Sequence, residues 1–312
     1  MAAQPENENP IRVRKNAKGF EEHYVCREHI VIDDMERRNW PMRLKTVAQP
    51  NEQPRMGVVP HYPRPVEFHC SIVSHVTTTD GMTGIRDLTG FRGGDRRLLW
   101  WGTLIGEDEI TTAEERYLEK LFPKRSPEER ERQKPFLHEF TTSPVFTDGS
   151  RYGNFRFTFS LADVMNAYRS QFCGEEEPVL RVYETVTYTQ EVMYVVLIHS
   201  PDVHDYDDYP VCAYKDGEII WHAQAISQTH SYRLIENRDE KQVEAVEYGD
   251  FEFYVWDHMS LAFHMPEGTI LEFSLETLLE ALTACDIGHI KLNDFIGRER
   301  AEEIIQEMKA NA

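Results

Sequence analysis

Positive charge is what this chain of 312 residues has least of: 34 Lys and Arg stand against 54 Asp and Glu, a formal net charge of −20. Between Pro201 and Ala312 there are 24 acidic residues against 8 basic ones, so the last third carries most of the imbalance. Affinity for nucleic acid rests on neutralising phosphates, and an acidic chain works against it. An anionic membrane surface is disfavoured for the same reason. Solubility accounts for the acidity more simply than an acidic docking face does. Cysteine is scarce as well. Cys26, Cys70, Cys173, Cys212 and Cys285 are odd in number and far apart, with no Cys-x-x-Cys pair or metal knuckle. That usage fits reduced thiols in the cytoplasm or nucleus. No apolar run approaches the roughly 20 residues that span a bilayer. The opening MAAQPENENP has no apolar h-region, so no secretory signal is expected. Internal repeats are absent. So are a Gly-x-Ser-x-Gly elbow, a Gly-Lys-Ser/Thr ending after the glycines of GFRGG, and a Cys with a His at a telling spacing.

What remains is an ordinary globular composition, 40% hydrophobic and 28% charged, long enough for one large domain or two modest ones. Residues 1–20 are polar and expected to be disordered. Gln49–Pro65 is rich in proline and reads as an extended connector. Caps announce several helices. Thr79 or Asp80 opens a short one with Met82, Ile85 and Leu88 on one face, closed by Gly90. Thr111–Phe122 is a second, stopped by Pro123. Ser126-Pro127-Glu128-Glu129 has the capping-box pattern. Ser160 and Ser274 each precede apolar residues at helical spacing, and Gly297–Ala310 predicts a final helix. Strands are as plain. Phe155, Phe157 and Phe159 alternate with Arg156 and Thr158, while Val179–Tyr188 and Glu191–His199 are rich in β-branched and aromatic residues. Asp216-Gly217 is a hairpin turn between Val211–Tyr214 and Glu218–His222. Phe251–Trp256, Ser260–His264 and Thr269–Phe273 add short strands. The expected class is α+β with a mainly antiparallel sheet and flanking helices.

The most telling stretch is Phe68–Trp101. An apolar run ends in His75-Val76-Thr77, a Thr-Thr-Asp-Gly turn follows, then a short helix, then the Gly-rich loop Gly90–Gly94. A strand that delivers a histidine to a polar loop backed by a capped helix can build one wall of a nucleotide pocket. Glu191 stands 116 residues later at the mouth of the apolar strand EVMYVVLIH, with Tyr152, Phe155 and Phe157 between the two. A single glutamate there is more often a solvent-facing strand terminus than a catalyst.

In that order of parts the chain resembles the ADP-ribosyltransferase superfamily, its poly-ADP-ribose-polymerase-like and diphtheria-toxin-like branches. The resemblance covers roughly Phe68–His199 and rests on short motifs. It implies a split, mainly antiparallel β-sheet core over residues 21–200, a helical insertion near 111–140, and an acidic β-rich extension over 201–312 packed on that core. It also implies NAD as substrate, cleaved with transfer of ADP-ribose to an acceptor such as a protein, or to water. By that resemblance the catalytic set is Glu191, His75 and Tyr152. His75, Val76 and Thr77 would hold the nicotinamide ribose and amide, and Tyr152 would stack on the nicotinamide ring. Glu191 would stabilise the oxocarbenium-like centre, as a fixed carboxylate assists glycoside cleavage. Gly90, Arg92, Arg96 and Phe157 complete the expected cofactor-binding set, with the arginines, Arg97 included, placed to pair with pyrophosphate. Thr189 stands two residues before Glu191, where arginine-modifying members have Glu or Gln, so arginine as acceptor is unsupported. The alternative is a non-catalytic nucleotide- or protein-binding module that keeps the fold. Trp100-Trp101 beside two leucines reads as core or interface before it reads as a cofactor cover. The loop HSPDVHD at His199–Asp205 has ligand types but no second cluster, so no metal is expected there.

Overall fold

The computed structural model describes residues 12–15, 21–26, 66–141, 143, 145–147, 149–188, 191–212, 214–223, 232–247, 256–288 and 295–310. The expected connector at 49–65, the strand residues 251–255 and the Thr189 that bears on acceptor choice lie outside them.

In chain order the elements are β1 (Arg12–Lys15), β2 (Glu21–Cys26), β3 (Val66–Cys70), β4 (Ile72–Thr77), α1 (Thr79–Leu88), β5 (Gly90–Arg92), β6 (Leu98–Leu104), α2 (Glu107–Leu121) and α3 (Pro127–Arg132). There follow β7 (Gly149–Ser150), β8 (Phe155–Ser160), α4 (Leu161–Phe172), β9 (Val179–Tyr188), β10 (Glu191–His199), β11 (Tyr214–Lys215), β12 (Glu218–Ala223), β13 (Tyr232–Asn237) and β14 (Gln242–Glu247). The last are β15 (Trp256–His264), β16 (Ile270–Glu272), α5 (Leu275–Ala281), β17 (Leu282–Ala284), β18 (Asp286–Ile287) and α6 (Arg298–Ala310). The class is α+β.

Nine strands form one sheet in the order β1-β2-β9-β10-β15-β6-β4-β8-β17. Every neighbouring pair is antiparallel except β10 and β15. Its centre is buried on both faces, which is why β10 reads as an unbroken apolar run rather than an alternating one. Tyr194, Val196 and Ile198 join the main core with Leu99, Trp101, Leu261 and Phe263. Val195 and Leu197 form a second cluster on the other face with Leu98 and Ala262. The ring of Tyr168, from α4, packs edge-on against Phe263 at 5.2 Å.

The expected boundary at residue 200 does not divide this sheet. β15 lies between β10 and β6, so residues beyond 200 supply its middle rather than an added layer. Residues 12–15, inside the expected disordered tail, pair with β2. The helical segment near 111–140 holds α2, α3 and a short 3₁₀ turn, starting four residues earlier than expected.

Capping signals were legible, with two shifts. Ser126 makes the full capping box with Glu129, and Ser160 and Ser274 accept from Asp163 N–H and Thr277 N–H. The cap of α1 is Thr78, whose hydroxyl accepts from Gly81 N–H, one residue before the expected Thr79. Its left-handed end is Thr89 at φ 52°, not Gly90. Gly90 serves a different need, because a Cβ there would sit 2.5 Å from the Leu271 carbonyl oxygen on β16. No helix among the described residues is long and apolar enough to cross a membrane.

Candidate functional site

Two expected catalytic residues can be placed from register alone. Ser74 of β4 faces Gly102 of β6, Gly102 faces Ser260 of β15, and Ser260 faces Val195 of β10. With β4 and β10 pointing the same way, His75 lies one step past this row and Glu191 four steps before it. Five residues at about 3.3 Å and three strand spacings at about 4.8 Å put the two backbones roughly 20 Å apart. The structure does not bring Glu191 to His75.

Val76, Thr77, Tyr152 and Arg96 lie with His75 toward the opposite end of the sheet from Glu191, while Gly90 and Arg92 belong to the separate β5–β16 pair. Thr77 ends β4 and faces Phe155, which puts Tyr152 just beyond the same edge. Arg96 and Arg97 lead into β6 at that edge. Gly153 locks the corner, since a Cβ there would fall within 1.9 Å of the Thr77 carbonyl oxygen. Several of these residues are packing groups. Phe157 is 2% exposed and its ring meets Phe91 edge-on at 5.3 Å, so it offers no stacking face. Trp101 is buried beside the same Phe91 at 4.8 Å. His75 donates its Nδ1–H to the Trp100 carbonyl at 2.8 Å, between the rings of Phe91 and Trp101 at 5.3 and 5.6 Å. Burial holds the imidazole below the ordinary histidine range, the carbonyl opposing it in part. Thr77 and Val76 are half-buried, Arg92 is exposed on β5, and Tyr152 is exposed with the Arg151 guanidinium 5.6 Å from its ring centre.

Continuing along the same edge brings a cluster that sequence reasoning missed. β15 ends there in His264 and β10 in His199, both buried. The loop after β10 folds back over them. Tyr206 lies 5.4 Å from the His199 ring and 5.5 Å from the His264 ring, and Tyr209 lies 5.2 Å from Tyr183. Arg181 of β9 gathers this loop. Its guanidinium donates to the carbonyls of Asp207 and Tyr209, to the Asp207 carboxylate at 2.8 Å, and through Nε to His199 Nε2 at 3.2 Å. The His199 Nδ1–H goes to the Ser200 carbonyl at 2.8 Å, so both ring nitrogens are committed. In the HSPDVHD loop, then, one histidine is bound to a cation, and the other, His204, contacts Asp207 at 3.0 Å. Among the described residues no three His, Cys, Asp or Glu side chains are grouped to hold a metal.

Two neighbouring arginines border this cluster. Arg96 and Arg97 are exposed and both have φ 61°, the left-handed region that side chains with a Cβ rarely enter. The turn is closed by Gly94 N–H donating to the Leu98 carbonyl and Met265 N–H to that of Arg97. The charge of Arg97 adds to burial in pushing His264 down, with Asp205 pulling the other way. Burial raises Tyr206 and Tyr183, and the charges of Arg97 and Arg96 respectively oppose it. The cluster thus has the turn of Arg96 and Arg97 along its border and the rings of Tyr206, His199 and His264 within it.

Comparison with protein-family models, with curated proteins and with solved structures returns no match.

Proposed function

We propose that this protein is a binding module for a nucleotide-like anion, with an aromatic ring and phosphate groups, held where Arg96 and Arg97 meet the loop of Tyr206 and Tyr209. The observation that carries the reading is the pair of adjacent exposed arginines held at φ 61° just before Leu98, which faces His264, whose ring lies 5.5 Å from Tyr206. A left-handed non-glycine residue costs of order 1–3 kcal/mol, and such strain clusters at ligand clamps. Guanidinium forks match phosphate oxygens, and tyrosine rings supply flat apolar area for a base. NAD is the first ligand to test, because it carries both parts and the chain resembles NAD-using enzymes between Phe68 and His199.

Binding without turnover is favoured by the roughly 20 Å between Glu191 and His75, which follows from strand spacing and rise. A carboxylate stabilises a developing cation only when it is preorganised beside it. ADP-ribosyl transfer stays as a second reading on one observation: Thr77, Arg96 and Tyr152 share one edge of the sheet with His75.

The test is thermal shift and calorimetry with NAD⁺, ADP-ribose and ADP, with nicotinamide release followed in the same samples. At a hundredfold excess over Kd a ligand stabilises the native state by about 2.7 kcal/mol. NAD⁺ and ADP-ribose are expected to raise Tm, the paired change Arg96→Ala and Arg97→Ala to abolish the rise, and nicotinamide to stay bound in NAD⁺. No shift from any nucleotide overturns the reading. Nicotinamide release that stops in Glu191→Gln replaces it with the transferase.

A further inference from the structure

The loop that carries Tyr206 and Tyr209 leaves the end of β10 and returns along β9. Its exit is joined to β9 by main-chain bonds, with Val182 N–H donating to the Pro210 carbonyl and Cys212 N–H to the Leu180 carbonyl, each at 2.8 Å. Before Pro210 its turns bind the loop to itself, Asp207 N–H donating to the His204 carbonyl and Tyr209 N–H to that of Tyr206. The Arg181 side chain, 12% exposed, ties these turns to the sheet. Four guanidinium N–H groups are engaged there: Nη1 on the Asp207 and Tyr209 carbonyls, Nη2 on the Asp207 carboxylate and Nε on His199 Nε2. Tyr206 directly precedes the first gripped residue and Tyr209 is the second, so this grip sets where both rings lie.

The Arg96–Arg97 turn has a separate support, the main-chain bonds from Gly94 N–H to the Leu98 carbonyl and from Met265 N–H to the Arg97 carbonyl. The aromatic and cationic halves of the site therefore depend on different contacts. A ring already held in place receives a base without the entropy cost of ordering it on binding. Lysine cannot replace Arg181 in this task, since an ammonium has three N–H groups on a flexible stem for four acceptors in fixed positions.

We infer that Arg181 is a positioning residue for the base end of the nucleotide site, holding the loop so that Tyr206 and Tyr209 present their rings, and that it takes no part in holding the phosphates. This rests on the nucleotide reading and sharpens it: affinity for the ring and affinity for the phosphates are separable, and Arg181 governs the first.

The test is calorimetry with ADP and with inorganic pyrophosphate on the parent, Arg181→Met and Arg181→Lys, beside hydrogen exchange of the loop amides without ligand. Both variants keep the aliphatic stem, and cooperative melting shows that they remain folded. Arg181→Met is expected to weaken ADP by about tenfold or more, the size of one lost base-stacking contact, and to leave pyrophosphate unchanged. Arg181→Lys restores the charge and is expected not to restore ADP affinity. In both variants the amides of Asp207 and Tyr209 are expected to exchange faster than in the parent. Equal weakening of ADP and pyrophosphate, full ADP affinity in folded Arg181→Met, or rescue by Arg181→Lys overturns the inference. If the parent binds neither ligand, the nucleotide reading falls and the base-end role with it. The exchange rates then still decide whether Arg181 holds the loop, and unchanged rates refute that whatever binds.

Discussion

Arg181 Nε–H points at His199 Nε2 across 3.2 Å, and this fixes His199 as a neutral imidazole with its proton on Nδ1. A second proton on that ring would face a guanidinium already in place.

The consequence is acid lability. Burial and Arg181 hold His199 below the ordinary histidine value near 6.5, and burial does the same for His75, His264 and His258. In such a window the unfolded chain binds more protons than the native one, so stability rises with pH. It is complete above about 6.5, the unfolded value, and falls as pH drops toward the depressed native values. Melting curves from pH 7.5 to about 5 should show Tm falling, less steeply in His199→Gln, whose side chain cannot take up the proton. A flat profile for both proteins would remove this account.

Phe157 and Glu191 give a contrast. Phe157→Ala empties a buried aromatic site and should cost about 3–5 kcal/mol. The effect is a loss of stability rather than a selective loss of nucleotide affinity in protein that still folds. Glu191→Gln should leave any NAD⁺-induced shift unchanged, because its backbone lies at the far end of the sheet. A calorimetric Kd weakened tenfold by Glu191→Gln would return that residue to the site.

Gly153→Ala tests the corner beside Tyr152. The added methyl would meet the Thr77 carbonyl at 1.9 Å, backbone against backbone, with no flexible side chain to yield. Overpacking costs of 1–3 kcal/mol are typical, and about the upper end is expected here. Urea unfolding measures it. A variant as stable as the parent would mean that the β4–β8 corner moves freely.

Ser160→Ala addresses a cap instead. The hydroxyl accepts from Asp163 N–H at 3.0 Å at the start of α4. Its removal should lower stability by about 1 kcal/mol, with Ser160→Asp restoring most of the loss in the same urea titrations.

Much of the fold was legible in the sequence. The serine caps at 126, 160 and 274, the Asp216-Gly217 hairpin and the aromatic alternation of β8 are local signals, and local signals survive folding. Thr78 was missed because three threonines and an aspartate in a row compete for one cap. The site was less legible, for a physical reason. Residue order along the chain does not say which end of a sheet a strand presents, and Glu191 opens its strand while His75 nearly closes its own. The Arg181–His199 contact left a fainter trace. Antiparallel pairing of β9 with β10 brings Arg181 beside the end of β10, but the bulge between Val195 and Val196 shifts the pairing. Tyr206 and His264 come from separate loops and strands, and no spacing rule joins them.

The position of β15 has one more implication, for the order in which the chain can fold. Until residue 264 leaves the ribosome, β6 and β10 face each other across a missing strand, each with a row of unpaired N–H and C=O groups. Open edges of that kind recruit other chains. A polypeptide ending near residue 200 is therefore expected to aggregate, and the slow step of folding to be the capture of a late strand between two early ones.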